Sequence, residues 1–251
     1  MHTISLLFVY CLAGCSYHPY IPSGDMINCD SPGTVGKNEY AVSGAGGFLG
    51  QVLDYSVLNG WLSVKYGVTE RLDIGVRGYG IMYPDAEMTY SDYKPFSLGT
   101  MVHSKVALVP GVFAMTGGVG YGFSDLGNYL FLNYGLTLGY ENRYVVPYVH
   151  LGSHYGIPIK PKEHDLSIID NDEMGEHRYI PNETLGLLMN AGIKLPVGLW
   201  FRFLHGLSLH AVGGIAIASD GAAHDDFMKG GFGVEYQLPV NNGRNAGLNS
   251  R

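Results

Sequence analysis

The sequence predicts an all-β protein, an antiparallel up-and-down transmembrane β-barrel of about ten strands, with eight strands as the alternative. Three observations favour this fold. Glycine accounts for 37 of the 251 residues, and a glycine inside a helix costs about 1 kcal/mol relative to alanine. Polarity alternates with period two over successive segments that end at turn residues, which is typical of β-strands. After the first dozen residues, no run approaches the ~18 apolar positions that indicate a membrane-spanning helix.

The charge of the chain argues against one broad class of partner. Only 15% of the residues are charged and the net charge is −7, whereas proteins that bind nucleic acid usually carry a basic patch. No basic run occurs in the sequence, so we expect no nucleic-acid partner. We expect no metal site or cofactor either. His150 and His154 have the spacing of a helical zinc site, but on a strand they would lie about 13 Å apart.

The first residues, 1–14, are predicted to be a signal peptide. The apolar run from Ile4 to Ala13 is too short to span a membrane as a mature helix and has the length of a signal-peptide core. The sequence Leu-Ala-Gly-Cys that ends at Cys15 resembles a bacterial lipobox, which implies cleavage before this cysteine and its acylation. The usual basic residue of the leading segment is absent, so an unlipidated signal peptide is the alternative.

Residues 15–38 are interpreted as a lipid-anchored periplasmic tether, because several prolines and glycines prevent regular packing. Removal of Cys11 with the signal and acylation of Cys15 would leave Cys29 alone, so no intramolecular disulfide is expected. The thiol of Cys29 is interpreted as buried or idle in the tether, with a bond between two chains as the alternative.

The barrel itself is predicted over residues 39–238, with residues 239–251 as a periplasmic C-terminal tail. Tyr129–Glu141 has the cleanest alternation, with leucine and tyrosine on one face and small or polar residues on the other. Strands of soluble proteins usually have about 5 or 6 residues, whereas a tilted strand that crosses a bilayer needs about 9 to 11. The first segment is the weakest, which leaves eight strands as the alternative. The ten predicted strands are roughly 39–50, 55–67, 72–82, 96–108, 111–123, 129–141, 144–156, 184–195, 206–218 and 227–238.

The connections between these strands are of two kinds that alternate along the chain. Short turns at one end and longer loops at the other are typical of outer-membrane barrels, in which the short turns face the periplasm. Ten strands place both chain termini at the short-turn end, where a lipid-anchored N-terminus would have to lie. The short connections are 68–71, 109–110, 141–143 and 196–205, and the longer ones are 50–54, 83–95, 124–128, 157–183 and 219–226.

Two segments resemble bacterial outer-membrane β-barrel proteins as a class. Residues Tyr66–Arg77 are similar to the short periplasmic hairpin of these proteins, and Gly231–Tyr236 is similar to their C-terminal assembly signal. The chain departs from the class because about fifteen residues follow Tyr236, where many such barrels end on an aromatic residue. The resemblance implies a location in the bacterial outer membrane. It also implies outer-membrane lipid, lipopolysaccharide and the barrel-assembly machinery as partners.

Aromatic residues at both ends of the apolar face predict girdles at the two membrane interfaces. The expected short-turn girdle contains Tyr66, Tyr140 and Tyr236, and the expected long-loop girdle contains Tyr121, Phe123 and Tyr155. Tyrosine is also simply a good strand former, which is the alternative explanation.

The polar face of the predicted strands would line the lumen. Barrels of about eight strands are filled by side chains, whereas open aqueous channels occur at about sixteen. We therefore interpret the polar face as a wet, salt-bridged network that fills the lumen. The alternative is a narrow porin-like path for a small solute, lined by a cationic excess. The predicted network contains Lys65, Asp73, Arg77, His103, Lys105, His150, His154, Lys194, His210, Lys229 and Glu235.

Three functions follow from this pattern. We favour a non-enzymatic outer-membrane barrel with a structural or interaction role, or with a narrow solute path. A second hypothesis is an outer-membrane protease that resembles the omptins, in which His224–Asp226 and either Asp85 or Asp92 would activate a water molecule. No motif matches that family residue by residue. The third hypothesis is a soluble lipoprotein with a ligand-binding barrel or sandwich, whose apolar face would point inward.

Overall fold

The computed structural model describes residues 29–50, 56–82, 96–124, 127–162, 164–170, 173–179, 182–219 and 224–238. These residues form a closed antiparallel barrel of ten strands and a separate two-stranded hairpin. In chain order the strands are β1 (Tyr40–Gly50), β2 (Ser56–Thr69), β3 (Leu72–Met82), β4 (Phe96–Val109), β5 (Phe113–Ser124), β6 (Gly127–Gly139), β7 (Val146–Pro161), β8 (His164–Asp170), β9 (Glu173–Tyr179), β10 (Thr184–Leu195), β11 (Leu207–Ser219) and β12 (His224–Leu238). Strands β8 and β9 pair with each other to form the hairpin, and the other ten form the barrel.

Closure of the barrel depends on its first and last strands. Strand β1 pairs without a register shift with β12, from Tyr40 opposite Leu238 to Gly50 opposite Met228, and it pairs equally with β2. The prediction of ten strands is therefore confirmed, and the alternative of eight is wrong. The glycines that weaken the alternation of β1 do not prevent pairing, because the ladder is made by backbone N–H and C=O groups. A closed barrel leaves no sheet edge unpaired, which a hydrocarbon environment requires.

The connections follow the predicted alternation only in part, because residues 125–126 alone separate β5 from β6 at the long-loop end, whereas residues 140–145 separate β6 from β7 at the short-turn end. Strand β7 continues to Pro161, and β8 and β9 form a hairpin within the segment 157–183 that the sequence predicts to be a loop. Proline disfavours the interior of a sheet, but Pro158 lies opposite Tyr129 where the β6–β7 register shifts, so it interrupts little regular pairing. A short helix, Val197–Trp200, lies in the connection from β10 to β11. No described helix is long and apolar enough to cross a membrane.

The outer face of the barrel is apolar. Leu62 is 71% exposed and Phe232 is 75% exposed, and many other large hydrophobic side chains on this face are more than a third exposed. So large an apolar surface is unfavourable in water and suits contact with lipid. The assignment of the apolar face to the outside is confirmed, and the soluble-lipoprotein hypothesis requires the opposite arrangement. The fold is an antiparallel up-and-down transmembrane β-barrel.

Aromatic side chains lie at both ends of this apolar surface. At the short-turn end, Tyr140 is 65% exposed and Tyr236 is 41% exposed, and the Tyr66 ring packs 4.9 Å from that of Tyr40. At the long-loop end, Tyr121 and Phe123 are 43% and 44% exposed. Tyr155 is half-buried there and donates a hydrogen bond to Glu183. These positions agree with the two predicted girdles.

Inward-facing glycines make room for rings from neighbouring strands. A Cβ atom at Gly120 would overlap the ring of Phe131, and one at Gly122 would overlap the ring of Tyr129. In a barrel of this size, large inward side chains fit only where their neighbours are small. The glycine content of the chain therefore reflects the filling of the lumen as well as the absence of helices.

Candidate functional site

The N-terminal segment Cys29–Asn38, called the plug below, enters the lumen from the short-turn end. At the rim, the backbone N–H of Asn38 donates to the carbonyl of Gly67. Deeper in the barrel, Cys29 is 4% exposed and belongs to the same buried cluster as Trp61. The described part of the expected tether is thus packed inside the barrel and is not an extended periplasmic linker. No local pattern reveals this position, because it depends on charges that strands distant in sequence supply.

The carboxylate of Asp30 is the main polar contact of the plug. Lys65 Nζ on β2 donates to Asp30 Oδ1 at 2.5 Å, and Arg77 Nη2 on β3 donates to Asp30 Oδ2 at 2.8 Å. All three side chains are 6% exposed or less. Burial by itself raises the pKa of the Asp30 carboxyl, but the charges of Lys65, Arg77 and Lys105 outweigh burial and hold that pKa well below its usual range. Asp30 is therefore ionised in the folded barrel.

Backbone contacts fix the rest of the plug to the same wall of the lumen. The N–H of Val35 donates to both carboxylate oxygens of Asp73, at 3.1 Å each. Lys105 Nζ donates to the carbonyls of Ser31, at 3.3 Å, and of Gly33. From β12, the amide of Gln237 donates to the carbonyl of Val35. The plug is held by ion pairs and hydrogen bonds with β2, β3, β4 and β12.

The side chains around Asp30 form what we call the charged layer. Among the described residues, the strands supply four cations and two carboxylates to its ion pairs, so the strands alone leave two positive charges in excess. Asp30 removes one of them. Glu235 bridges Lys65 at 3.0 Å and Lys194 at 2.8 Å, and Asp73 lies 3.9 Å from Lys105. The charged layer consists of Asp30, Lys65, Asp73, Arg77, Lys105, Lys194 and Glu235.

The other residues of the expected lumen network are four histidines and Lys229, and of these His103 lines the small cavity beside Asp30. The ring of His103 is hydrogen-bonded to Ser63 Oγ at 3.0 Å, and that of His150 to Thr137 Oγ1 at 2.9 Å. His154 and His210 are buried, and neither ring has a hydrogen-bond partner within the described part of the chain. Lys229 is buried at 5% exposure. The sequence-predicted set therefore divides into six members of the charged layer, four histidines and Lys229. Cys15 lies outside the described residues.

Toward the long loops, aromatic side chains fill the lumen. The hydroxyls of Tyr79 and Tyr129 are hydrogen-bonded at 2.9 Å, and Ser97 Oγ is hydrogen-bonded to Tyr129. Phe131 is fully buried and meets the Tyr79 ring edge-on at 5.4 Å. This group is not among the residues expected from the sequence, because the inward face is expected there to be small and polar. Tyr129 and Phe131 share the parity of the inward Asn133, which was the available signal. We call the group Trp61, Tyr79, Ile81, Met101, Tyr129 and Phe131 the aromatic layer.

Little free space remains between the two layers. A cavity of about 20 Å³ adjoins Asp30, Lys65 and Arg77, which is room for about one water molecule. A larger pocket of about 340 Å³ opens at the short-turn end, between the connections around Glu141 and Pro196. The geometry of the described residues is that of a blocked lumen with a charged constriction.

Comparison with known proteins gives a likeness of architecture only. No protein-family model and no curated protein matches the chain. Similar solved structures include the translocator domain of the autotransporter NalP from Neisseria meningitidis, with 11% identity over 81% of this chain and 89% of that chain and a TM-score of 0.48. The β domain of the Bordetella autotransporter BrkA has 11% identity over 80% of this chain and 99% of that chain, with a TM-score of 0.45.

An enzyme is among the similar structures. The outer membrane protease OmpT from Escherichia coli has 9% identity over 80% of this chain and 95% of that chain, with a TM-score of 0.35. Of the residues in the protease hypothesis, Asp85 and Asp92 lie outside the described residues, and only the backbone of His224–Asp226 is described. Identities this low reflect the barrel fold and transfer no activity to this chain.

Proposed function

We propose that this protein resides in the bacterial outer membrane as a barrel that its own N-terminal plug closes, and that it has a structural or interaction role there. The apolar outer face, the two aromatic girdles and the common position of the start of β1 and the end of β12 at the short-turn end support the location. The observation that carries the role is the occupied lumen, in which Asp30 is paired with Lys65 and Arg77 beneath a layer of packed rings.

The location is tested by electrophoresis of isolated outer membranes with and without heating. We expect a band that migrates differently when the sample is not heated, because a closed barrel keeps its structure in cold detergent. The closed lumen is tested by recording current across a planar bilayer that contains the full mature protein. We expect no steady conductance. A heat-dependent band together with a steady wild-type current would contradict the closed lumen but not the location.

We also propose that acylation of Cys15 anchors the protein, and that outer-membrane lipid, lipopolysaccharide and the barrel-assembly machinery are its partners. Metabolic labelling with an alkyne fatty acid should mark the wild type and the Cys29→Ser variant but not the Cys15→Ser variant. Equal labelling of the two variants would show that Cys15 is not the acylated residue.

A narrow path for a small solute is the second candidate function. It is favoured by the cationic excess of the strands and by the non-covalent contacts that hold the plug in the lumen. Replacing residues 29–37 by a glycine–serine linker of equal length, in a chain that also carries Phe131→Ala to open the aromatic layer, should produce a measurable conductance in the planar bilayer. A heat-modifiable variant that still carries no current would rule out the path.

We propose no enzymatic activity. A folded wild type should leave a basic peptide intact over a long incubation. If it cleaves the peptide and Asp225→Asn does not, the protease hypothesis replaces this proposal.

A further inference from the structure

The two oxygens of the Asp30 carboxylate accept hydrogen bonds from cations on different strands. Oδ1 accepts from Lys65 on β2, and Oδ2 accepts from Arg77 on β3. Lys105 on β4 lines the same small cavity. A carboxylate or oxyanion held through two oxygens by separate cations is a recurrent, strongly bound arrangement. In this barrel, the anion belongs to the plug and the cations belong to the wall.

Side chains other than Asp30 also contact these cations and fix their positions. Lys65 is paired with Glu235 at 3.0 Å. The guanidinium of Arg77 lies 4.2 Å from the centroid of the Trp61 ring, in a cation–π contact. Because these partners belong to the strands, the cationic groups are pre-organised whether or not a carboxylate lies between them.

We propose that Lys65, Arg77 and Lys105 form an anion-binding site for small carboxylates and other small oxyanions, and that Asp30 of the plug occupies it as a tethered internal ligand. The cavity beside Asp30 has room for about one water molecule, so the site holds one carboxylate at a time. An external anion and Asp30 are therefore exclusive competitors. Covalent attachment gives Asp30 a high effective concentration, on the order of millimolar or above, so the wild type should bind external anions weakly.

For the narrow solute path that is the second candidate function, this site makes small anions the expected solutes. Only that statement rests on the proposed function. The site itself is tested in detergent, where neither membrane location nor conductance matters. A steady wild-type current would overturn the closed lumen and leave the binding result intact. A failure to bind anions would overturn the site and leave the closed lumen intact.

The decisive experiment is chemical rescue of the Asp30→Ala variant with formate. The substitution removes the carboxylate and leaves a space of its size between Lys65 and Arg77. Sodium formate at about ten times its Kd should raise the apparent Tm of this variant by about 3–6 °C, read from the heat-modifiable band. Ionic strength is held constant with sodium gluconate, whose anion is too large for the cavity.

Two matched controls test whether the shift depends on the negative charge of formate and on the space left by the Asp30→Ala substitution. Formamide has the shape of formate without its charge, and it should give no shift. In the Asp30→Asn variant an amide fills the space, so formate should give no shift there. An equal shift with formamide, or the absence of a formate shift in Asp30→Ala, would overturn the proposal.

A refolding experiment tests the proposal when the Asp30→Ala variant does not fold without an added anion. The urea-denatured variant is diluted into detergent with formate or formamide, and the folded fraction is read from an unheated gel. We expect a larger folded fraction with formate than with formamide. Equal fractions, including no folded protein in either, would overturn the proposal.

Discussion

Toward the short turns, the lumen is closed by the plug, a segment that precedes β1 and that ion pairs hold against the strands. Toward the long loops, it is closed by rings that belong to the strands themselves. Plug contacts such as Asp30–Lys65 can break without unfolding a strand, whereas Phe131 cannot leave the lumen unless β6 is distorted. The plug is therefore the removable closure of the lumen, and the aromatic layer is the permanent one.

The largest effect is expected for Asp30→Asn. Removal of one partner from a buried ion pair costs about 3–5 kcal/mol. Here that cost reduces the free energy that holds the plug in the lumen. In a chain whose Cys11 and Cys15 are changed to serine, Cys29 reports that seating because its thiol is 4% exposed. The rate of maleimide labelling at Cys29 should rise by about a hundredfold or more.

The control for this variant is Glu70→Gln, a carboxylate-to-amide change at an exposed turn, which should leave the labelling rate unchanged. The heat-modifiable band of Asp30→Asn should persist, since the strands lose no packing. Loss of that band without faster labelling would mean that Asp30 stabilises the barrel and does not serve as a latch.

The next effect is the loss of the same stabilisation in acid. The pKa of Asp30 is depressed in the folded state. Its contribution is therefore complete above the unfolded pKa of about 4 and is lost as the pH falls through and below that value. The difference in Cys29 protection between the wild type and Asp30→Asn should be constant above about pH 5 and should shrink below about pH 4.

A disulfide-exchange reagent that reacts in acid measures this difference. Because Asp30→Asn retains every other titrating group, the comparison isolates one carboxyl. A Phe131→Leu variant, altered only in the aromatic layer, should show the acid response of the wild type. A difference that grows as the pH falls would contradict the sign of the Asp30 contribution.

Gly120→Ala should produce a smaller effect in the other layer. The new methyl group would overlap the Phe131 ring and would also press on the carbonyl of Thr100. Overpacking of this kind costs about 1–3 kcal/mol, measured as the shift in the urea midpoint of barrel unfolding. Gly117→Ala on the same strand is the matched control, because its Cβ would make only an ordinary contact at 3.9 Å from the nearest backbone oxygen.

Labelling at Cys29 shows whether this change in the aromatic layer also affects the plug. Gly120→Ala should lower barrel stability without exposing the thiol, since the ion pairs and hydrogen bonds described above hold the plug to β2, β3, β4 and β12. Faster labelling at an unchanged urea midpoint would show that the two layers are not separate.

The sequence predicts the barrel well and the site only in part. Alternation in Tyr129–Glu141 and Thr184–Leu195 identifies strands, because lipid and lumen impose opposite polarities on alternate residues. The same parity places Lys65 and Glu235 inside, but it carries no information on which charges meet. The ion pairs of Asp30 join side chains that are separated by 35 and by 47 positions in the sequence. The neighbouring prolines make the plug look like a linker. Only closure of the barrel brings those charges together.

Gln237→Ala should have the smallest effect of the set. The amide of Gln237 donates to the carbonyl of Val35 in the plug and to Glu39 Oε2 at 2.6 Å. Loss of a hydrogen bond costs about 0.5–1.5 kcal/mol, and we expect the low end, because this rim site is half-buried and water can replace the lost donor. Cys29 labelling should accelerate by less than about tenfold. Gln237→Glu sharpens the result, since a second carboxylate beside Glu39 adds repulsion and should accelerate labelling further. If Gln237→Ala released the plug as completely as Asp30→Asn, the rim would be the latch, and the charged layer would only neutralise a segment that the rim holds in place.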